Sequence, residues 1–511
     1  RTLFDRLVDV LPESMQSHIA IELDQVGLGR QNVSNVRFET VRAGGALTLR
    51  DVRANLPGGT ELSLEGTIEG DGNNRSFAGL LAMSGQSLSR FSAWGFGDNP
   101  FAHSGSDGPF SLTGALQLSD QAIAFTQAEA ELNGTPLQGQ LRLGLEGPRR
   151  IAIALEGHRI DLAQLWPDNP GLPALRKHVL AQSWGTSSST QQDNAGSAHL
   201  AREPDAAPDL TVNIKAGTLI DGPRQLDDLH VDLSVSGGLI DIPSLKFRSA
   251  GDLDVDVKGS ARRTDGAVQG KLKGVISAPT PQAATTLAEL LDVPSDYMPV
   301  VERWGKLTPW RLATTLTVGE RTPEALDLDV DGTVLGGHAV GLVRLNSTNG
   351  KWINNLADGM LTIEAPEFQQ LLNAVAPAQA KAPALTQSDG PGRLFIKAVG
   401  PAGDGLVTLA EMNADGIDLA FSGRVNEHEN SGLTARGDIR VAARDVRHVL
   451  ALAGVPLAPG ASDLSVAGTI AAAKEAGRIV LAAPSLQLGS ATVSGVATLT
   501  PQDGGAVTGI D

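Results

Sequence analysis

Asp327-Leu328-Asp329-Val330-Asp331-Gly332 sets carboxylates at alternate positions ahead of a glycine, the opening of a loop whose side-chain oxygens could surround calcium. Such a loop closes with a bidentate glutamate at its twelfth position, where this chain has His338. Leu328 and Val330 also keep a strict two-residue alternation, so the aspartates read as the wet face of a strand. Asp252, Asp254 and Asp256 lack even the glycine and read the same way. Zinc-protease spacing is absent, and Glu427-His428-Glu429 sits in a polar turn with no second histidine nearby. Gly27-Leu28-Gly29 fails as a dinucleotide fingerprint at Asn32, and neither a nucleophile elbow nor a P-loop occurs. With no cysteine, thiolate chemistry, disulfides and Cys-ligated metals are excluded. The expectation is a chain with no catalytic residues, no metal site and no cofactor. Trp94, Trp166, Trp304, Trp310 and Trp352 could stack on sugars, but their area suits packing at the junctions between repeats better.

The elements that carry these residues are strands. Leu253-Asp254-Val255-Asp256-Val257-Lys258 alternates strictly, which sends apolar side chains to one sheet face and polar ones to the other. Leu326 to Asp331, Leu210 to Lys215, Val231 to Ser236, Leu62 to Glu65 and Leu464 to Val466 follow the same rule. Ile151 to Glu156 has alanine in place of charge, which predicts a strand covered on both faces. Pro57-Gly58-Gly59, Asp71 to Asn74, Gly237-Gly238, Thr264-Asp265-Gly266 and Gly336-Gly337 supply turns, so the simplest product is a meander of antiparallel hairpins.

Short apolar stretches at helical spacing interrupt the strands at Ser87 to Phe96, Ile160 to Trp166, Pro281 to Val293, Pro366 to Val375 and Arg444 to Val455. Phe91, Leu165, Leu290, Leu372 and Leu450 mark them at spacings of 74, 125, 82 and 78 residues. The long interval contains Ser183 to Pro208, a Ser/Gln/Thr/Ala/Pro-rich linker or insertion. The expected fold is mainly β: an elongated, repetitive antiparallel sheet curled into a groove, with short helices between repeat units. Units are expected at 1–97, 98–182, 209–295, 296–377 and 391–511, with linkers at 183–208 and 378–390 and truncation at both ends.

Composition narrows the partners. Glycine supplies 59 of 511 residues, where average usage would give about 36, and aromatic residues are only 4%. A formal charge of -17 argues against a coat for nucleic acid or anionic headgroups. No stretch reaches the length of a membrane-spanning helix, and the first residues show no basic region followed by an apolar core. The lack of cysteine suits an oxidising compartment.

Meanders of the form L-x-L-x-G separated by a short D-L-x-x-L-x-P helix resemble the bacterial AsmA-like family, which includes TamB-type envelope proteins. Ile160 to Pro167, Leu287 to Pro294 and Val449 to Pro456 carry the helix pattern. The resemblance implies a periplasmic location, an inner-membrane anchor outside this chain, outer-membrane proteins as further partners, and a role in moving phospholipid toward the outer membrane. From the charge and the absence of catalytic motifs, neither a nucleic-acid partner nor enzyme activity is expected.

An open one-sided sheet would let acyl chains replace water on its dry face, at roughly 0.8 kcal/mol per buried methylene. The candidate groove residues are the regular apolar alternates: Leu62 and Leu64; Val212 and Ile214; Val231, Leu233 and Val235; Leu253, Val255 and Val257; Leu326, Leu328 and Val330; and Leu464 and Val466. A charge at Val255 is expected to impair lipid loading without unfolding the chain. The same alternation would arise if two sheets closed on each other and the dry faces formed a core. A surface or secreted β-solenoid that binds proteins or glycans is the other class of outcome, although a unit of this length is long for a solenoid coil.

Overall fold

The computed structural model describes residues 17–499 except 29–30, 44–45, 71–74, 97–107, 146–149, 166–208, 265–266, 294–297, 323–324, 347–355, 376–389, 402–404, 429–431, 447–448, 450–463 and 476–477. The chain is mainly β and divides into two compact units, Arg1–Arg248 and Ser249–Asp511. In each, the strands form one open, curled sheet.

The first unit contains β1 (Ser17–Leu28), β2 (Gln31–Ala43), β3 (Ala46–Leu56), β4 (Thr60–Glu69) and β5 (Ser76–Gly85), followed by α1 (Leu88–Phe96). Then come β6 (Phe110–Leu118), β7 (Ala122–Leu132), β8 (Thr135–Gly144), β9 (Arg150–Asp161) and α2 (Leu162–Leu165). β10 (Asp209–Asp221), β11 (Arg224–Ser236) and β12 (Leu239–Ser249) complete it. From β1 to β9 each strand pairs antiparallel with the next, as does β10 with β11.

The junction of β9 with β10 departs from the expected meander. These strands pair parallel, Ile151 beside Leu210 and Leu155 beside Ile214. A parallel pair cannot be joined by a tight turn and needs a crossover of a dozen or more residues. The chain between Asp161 and Asp209 is long enough for it; the Ser183–Pro208 linker within that stretch lies outside the described residues.

The second unit begins with a 3-10 turn at Ala250–Asp252, then β13 (Leu253–Thr264), β14 (Ala267–Ala278), α3 (Pro281–Leu290) and α4 (Met298–Gly305). β15 (Trp310–Val318), β16 (Ala325–Val334), β17 (Gly337–Asn346), β18 (Leu356–Ala365) and α5 (Phe368–Val375) follow. The last strands are β19 (Gly392–Pro401), β20 (Leu406–Ala414), β21 (Ile417–His428), β22 (Gly432–Ala443), β23 (Val466–Glu475), β24 (Arg478–Leu488) and β25 (Ala491–Leu499). From β13 to β23 every pairing is antiparallel and free of register shifts.

Turn chemistry sets these registers. Leu335 and Gly336 both have positive φ, 52° and 76°, the backbone twist that a two-residue hairpin between β16 and β17 requires. At the start of α3, Pro281 occupies the first turn and the Thr280 hydroxyl accepts a hydrogen bond from the Ala283 amide at 3.3 Å, capping orphan backbone groups. The same hydroxyl donates to the Gly251 carbonyl at 2.8 Å, tying the helix to the 3-10 turn. Gly251 has φ of 75°, and a Cβ there would stand 2.5 Å from the Ala283 amide nitrogen, so glycine is required.

The helices fall at the expected places, with one addition: α4 was not legible in the sequence. Strand direction alternates, so β5 and β9 point the same way, as do β14 and β18, and the helices that follow them stand at one rim of each unit. There they pack on the apolar face. Phe368 and Leu371 of α5 are completely buried against a cluster that includes Ile363, Leu394, Ile417 and Val441. In the first unit Phe91 of α1 lies 5.7 Å from Phe110 and 6.1 Å from Trp94, ring centre to ring centre. The predicted helix at Arg444 to Val455 lies mostly outside the described residues.

Candidate functional site

Because directly opposed residues of neighbouring strands point to the same face, the registers turn isolated alternations into continuous rows. In the second unit one row runs Val257, Gly274, Thr314, Val330, Gly341 and Leu361, and continues through Ile396, Ala410, Phe421, Ile439 and Ile470. A second row, farther from the helices, contains Leu272, Leu316, Leu328 and Val343. In the first unit, Phe125, Leu141, Ile153, Val212 and Leu233 form one row across the parallel junction. These rows contain no titratable side chain.

Burial divides this face into two bands. Under the helices of the second unit, Leu253, Val255, Ile363, Ile417, Val441 and Val466 are buried. Away from them Val257, Leu326, Leu328 and Val330 are half-buried, and Val343 is 37% exposed. In the first unit Ile160, Leu219, Leu226 and Val235 are buried, whereas Leu62, Leu64, Val212, Ile214, Val231 and Leu233 are half-buried. Leu141 and Ile153 are 36% and 38% exposed, so β9 is not covered on both faces as its alanines suggested. Large apolar side chains lose most of their accessible surface in a closed core. Among the described residues, Val343, Leu141 and Ile153 therefore stand outside any covering layer of their own unit, whereas Leu361, Ile396 and Ile470 pack against the edge of the helix-covered cluster.

The expected groove residues are thereby placed. All the strand candidates within each unit lie on its apolar face, but Val235, Leu253, Val255 and Val466 belong to the packed band. A charge at Val255, which is 5% exposed, would disrupt packing as well as any ligand, contrary to the sequence-based expectation. Leu464 precedes β23 and is 42% exposed; its carbonyl accepts a hydrogen bond from the Val446 amide at 2.7 Å. Val343, Leu361, Phe421 and Ile439 escaped the sequence reading because Gly341, Gly359, Gly423 and Gly437 interrupt the apolar alternation beside them. The signal that finds them is register.

The chain matches no family model, no curated protein and no solved structure.

Charge lies on the opposite face. On β16, Asp327 receives two hydrogen bonds from Arg321 Nε, at 2.8 and 2.9 Å, and Asp331 stands 2.9 Å from His338 Nε2. The Arg321 hydrogen bond holds the Asp327 carboxyl below its usual range, against the opposing effect of burial. The Asp-x-Asp-x-Asp-Gly segment is thus continuous strand with its first and last carboxylates engaged by a guanidinium and an imidazole. In the first unit Asp51 pairs with Arg37 at 3.2 Å and Arg53 at 2.8 Å. Among the described residues, no group of three or more metal-ligating side chains converges. Of the tryptophans assigned to junction packing, Trp310 packs against the second unit's core, Trp94 contacts Phe91, and Trp304 is 49% exposed; Trp166 and Trp352 lie outside the described residues.

Proposed function

We propose that this chain is a periplasmic, AsmA-like segment that holds or conducts phospholipid by its acyl chains along the apolar sheet face, in support of outer-membrane biogenesis and without catalysing a reaction. The observation that carries the reading is the register of apolar rows in which, away from the helices, Leu141, Ile153 and Val343 are each more than a third exposed. Such a surface discriminates by apolarity and width instead of by polar contacts, and each methylene it shelters from water contributes about 0.8 kcal/mol. The charged opposite face keeps the sheet hydrated. Inner-membrane tethering through a segment outside this chain and contact with outer-membrane proteins belong to the same proposal.

Native mass spectrometry of the chain purified from a bacterial periplasm, followed by lipid extraction, tests it. Phospholipid should co-purify, and Leu328→Asp should remove it while the circular dichroism spectrum persists. A folded wild-type protein free of lipid would overturn the reading.

A further inference from the structure

Each unit contains a cross-strand pair of glycines on its apolar face, roofed by a phenylalanine two residues earlier on one of the two strands. In the first unit Gly66 of β4 opposes Gly79 of β5, with Phe77 above them. In the second, Gly423 of β21 opposes Gly437 of β22, with Phe421 above them. A Cβ on Gly423 would stand 2.7 Å from the Gly437 Cα, and one on Gly437 2.5 Å from the Gly423 Cα. Ordinary opposed residues keep their Cα atoms about 4.5 to 5.5 Å apart and have room for both Cβ atoms, so the two backbones converge on the apolar side. Only glycine allows so close an approach, and each pair leaves a dent in the floor where two side chains are missing.

The phenylalanine fills the dent. The Cβ position on Gly423 lies 2.7 Å from Phe421 Cζ, and that on Gly437 3.0 Å from Phe421 Cε2, so the ring lies across both glycines. Phe77 does the same over Gly66 and Gly79, at 2.8 and 2.5 Å. The two rings differ in their surroundings. Phe77 is 6% exposed and belongs to a buried cluster with Leu47, Leu49 and Ile68, whereas Phe421 is half-buried and stands in a half-buried row between Ala410 and Ile439.

We propose that Phe421 is the specificity-determining residue of the apolar face in the second unit: seated over the Gly423–Gly437 pair, its ring occupies the recess there and so gauges which apolar groups can settle into it, admitting slender ones alongside and excluding bulky ones. The proposal rests on the reading of this face as a site for acyl chains. Phe77 is its structural counterpart, locked into packing and unable to serve as a gauge.

Two fluorescent fatty acids of different thickness test this on the full chain: slender parinaric acid and pyrenedecanoic acid, which ends in a bulky ring system. Phe421→Ala should raise the affinity for pyrenedecanoic acid relative to parinaric acid several-fold, and Phe421→Trp should lower that ratio. Phe77→Ala should lower the melting temperature and leave the ratio unchanged. If Phe421→Ala does not fold, Phe421→Leu should shift the ratio in the same direction. A ratio unmoved by the folded Phe421 variants overturns the gauge while the acyl-chain reading stands. A wild-type chain that binds neither probe overturns both, and it is distinguished before any variant is made.

Discussion

The packed band and the open rows of the second unit are built from the same residue types on the same face. Leu253 and Val255 are buried while Val257, two residues along the same strand, is half-buried; Val334 is buried while Val330 is not. Side-chain hydrophobicity does not separate them. What does is the rim at which the chain turns into helices: α3 packs against β13 and β14, and α5 against β18 and β19, where its Phe368 and Leu371 are completely buried. The helix-covered end of the face supplies stability through burial, and away from it the apolar side chains stay half-buried or exposed.

The largest effect should separate the bands directly. Phe368→Ala is expected to cost about 3–5 kcal/mol, because removing a fully buried ring from the helix–sheet contact leaves a cavity the rigid strands cannot close; urea unfolding measures it. Val255→Asp should be comparably damaging, since it places a carboxylate in the packed band without a partner. Leu328→Asp should cost only about 1 kcal/mol, in the range of ordinary substitutions, yet lose bound lipid. If Leu328→Asp unfolds the chain as readily as Val255→Asp, the two bands are one core and the comparison collapses.

A smaller effect sharpens the role of the rim. Thr280→Ala removes the cap of α3 and its tie to Gly251, and should lower stability by about 1 kcal/mol in the same unfolding experiment. The smallest belongs to the charged face. Asp327→Asn should cost less than about 1 kcal/mol near neutral pH, since the ion pair with Arg321 is partly solvated. The folded pKa of Asp327 is lowered by the Arg321 hydrogen bond, so this contribution is present above the unfolded aspartate pKa, about 3.9, and is lost as pH falls through the folded value. The stabilities of the wild type and of the Asp327→Asn variant should therefore converge in acid, as followed by unfolding midpoints at several pH values.

Strands such as Leu253–Lys258 and Leu326–Asp331 were legible because strict alternation has a single reading on a pleated backbone. The helices α1, α2, α3 and α5 were legible from apolar spacing between punctuating residues. α4 was not, because Pro299 falls in its first turn and Pro294 just ahead of it, and proline, though tolerated there, interrupts the apolar spacing by which a helix is read. The parallel β9–β10 junction was equally hidden, since a strand's alternation is the same whichever way its neighbour runs. Among the candidate groove residues, alternation identified the face but not the depth of burial, and it missed Phe421 because the neighbouring glycine carries no side chain to continue the pattern.

By itself, then, the sequence determined that this chain is a series of two-faced strands, wet on one side and dry on the other, broken by short helices and devoid of thiol chemistry, because side-chain period and turn preference are local properties of the backbone. Only the tertiary structure decided which dry residues are covered and which are left open, where one strand runs beside another in parallel, and that glycine pairs bring two strands close together beneath Phe77 and Phe421. Those outcomes depend on register between strands and on where the helices come to rest, and neither is written in the period of any single strand.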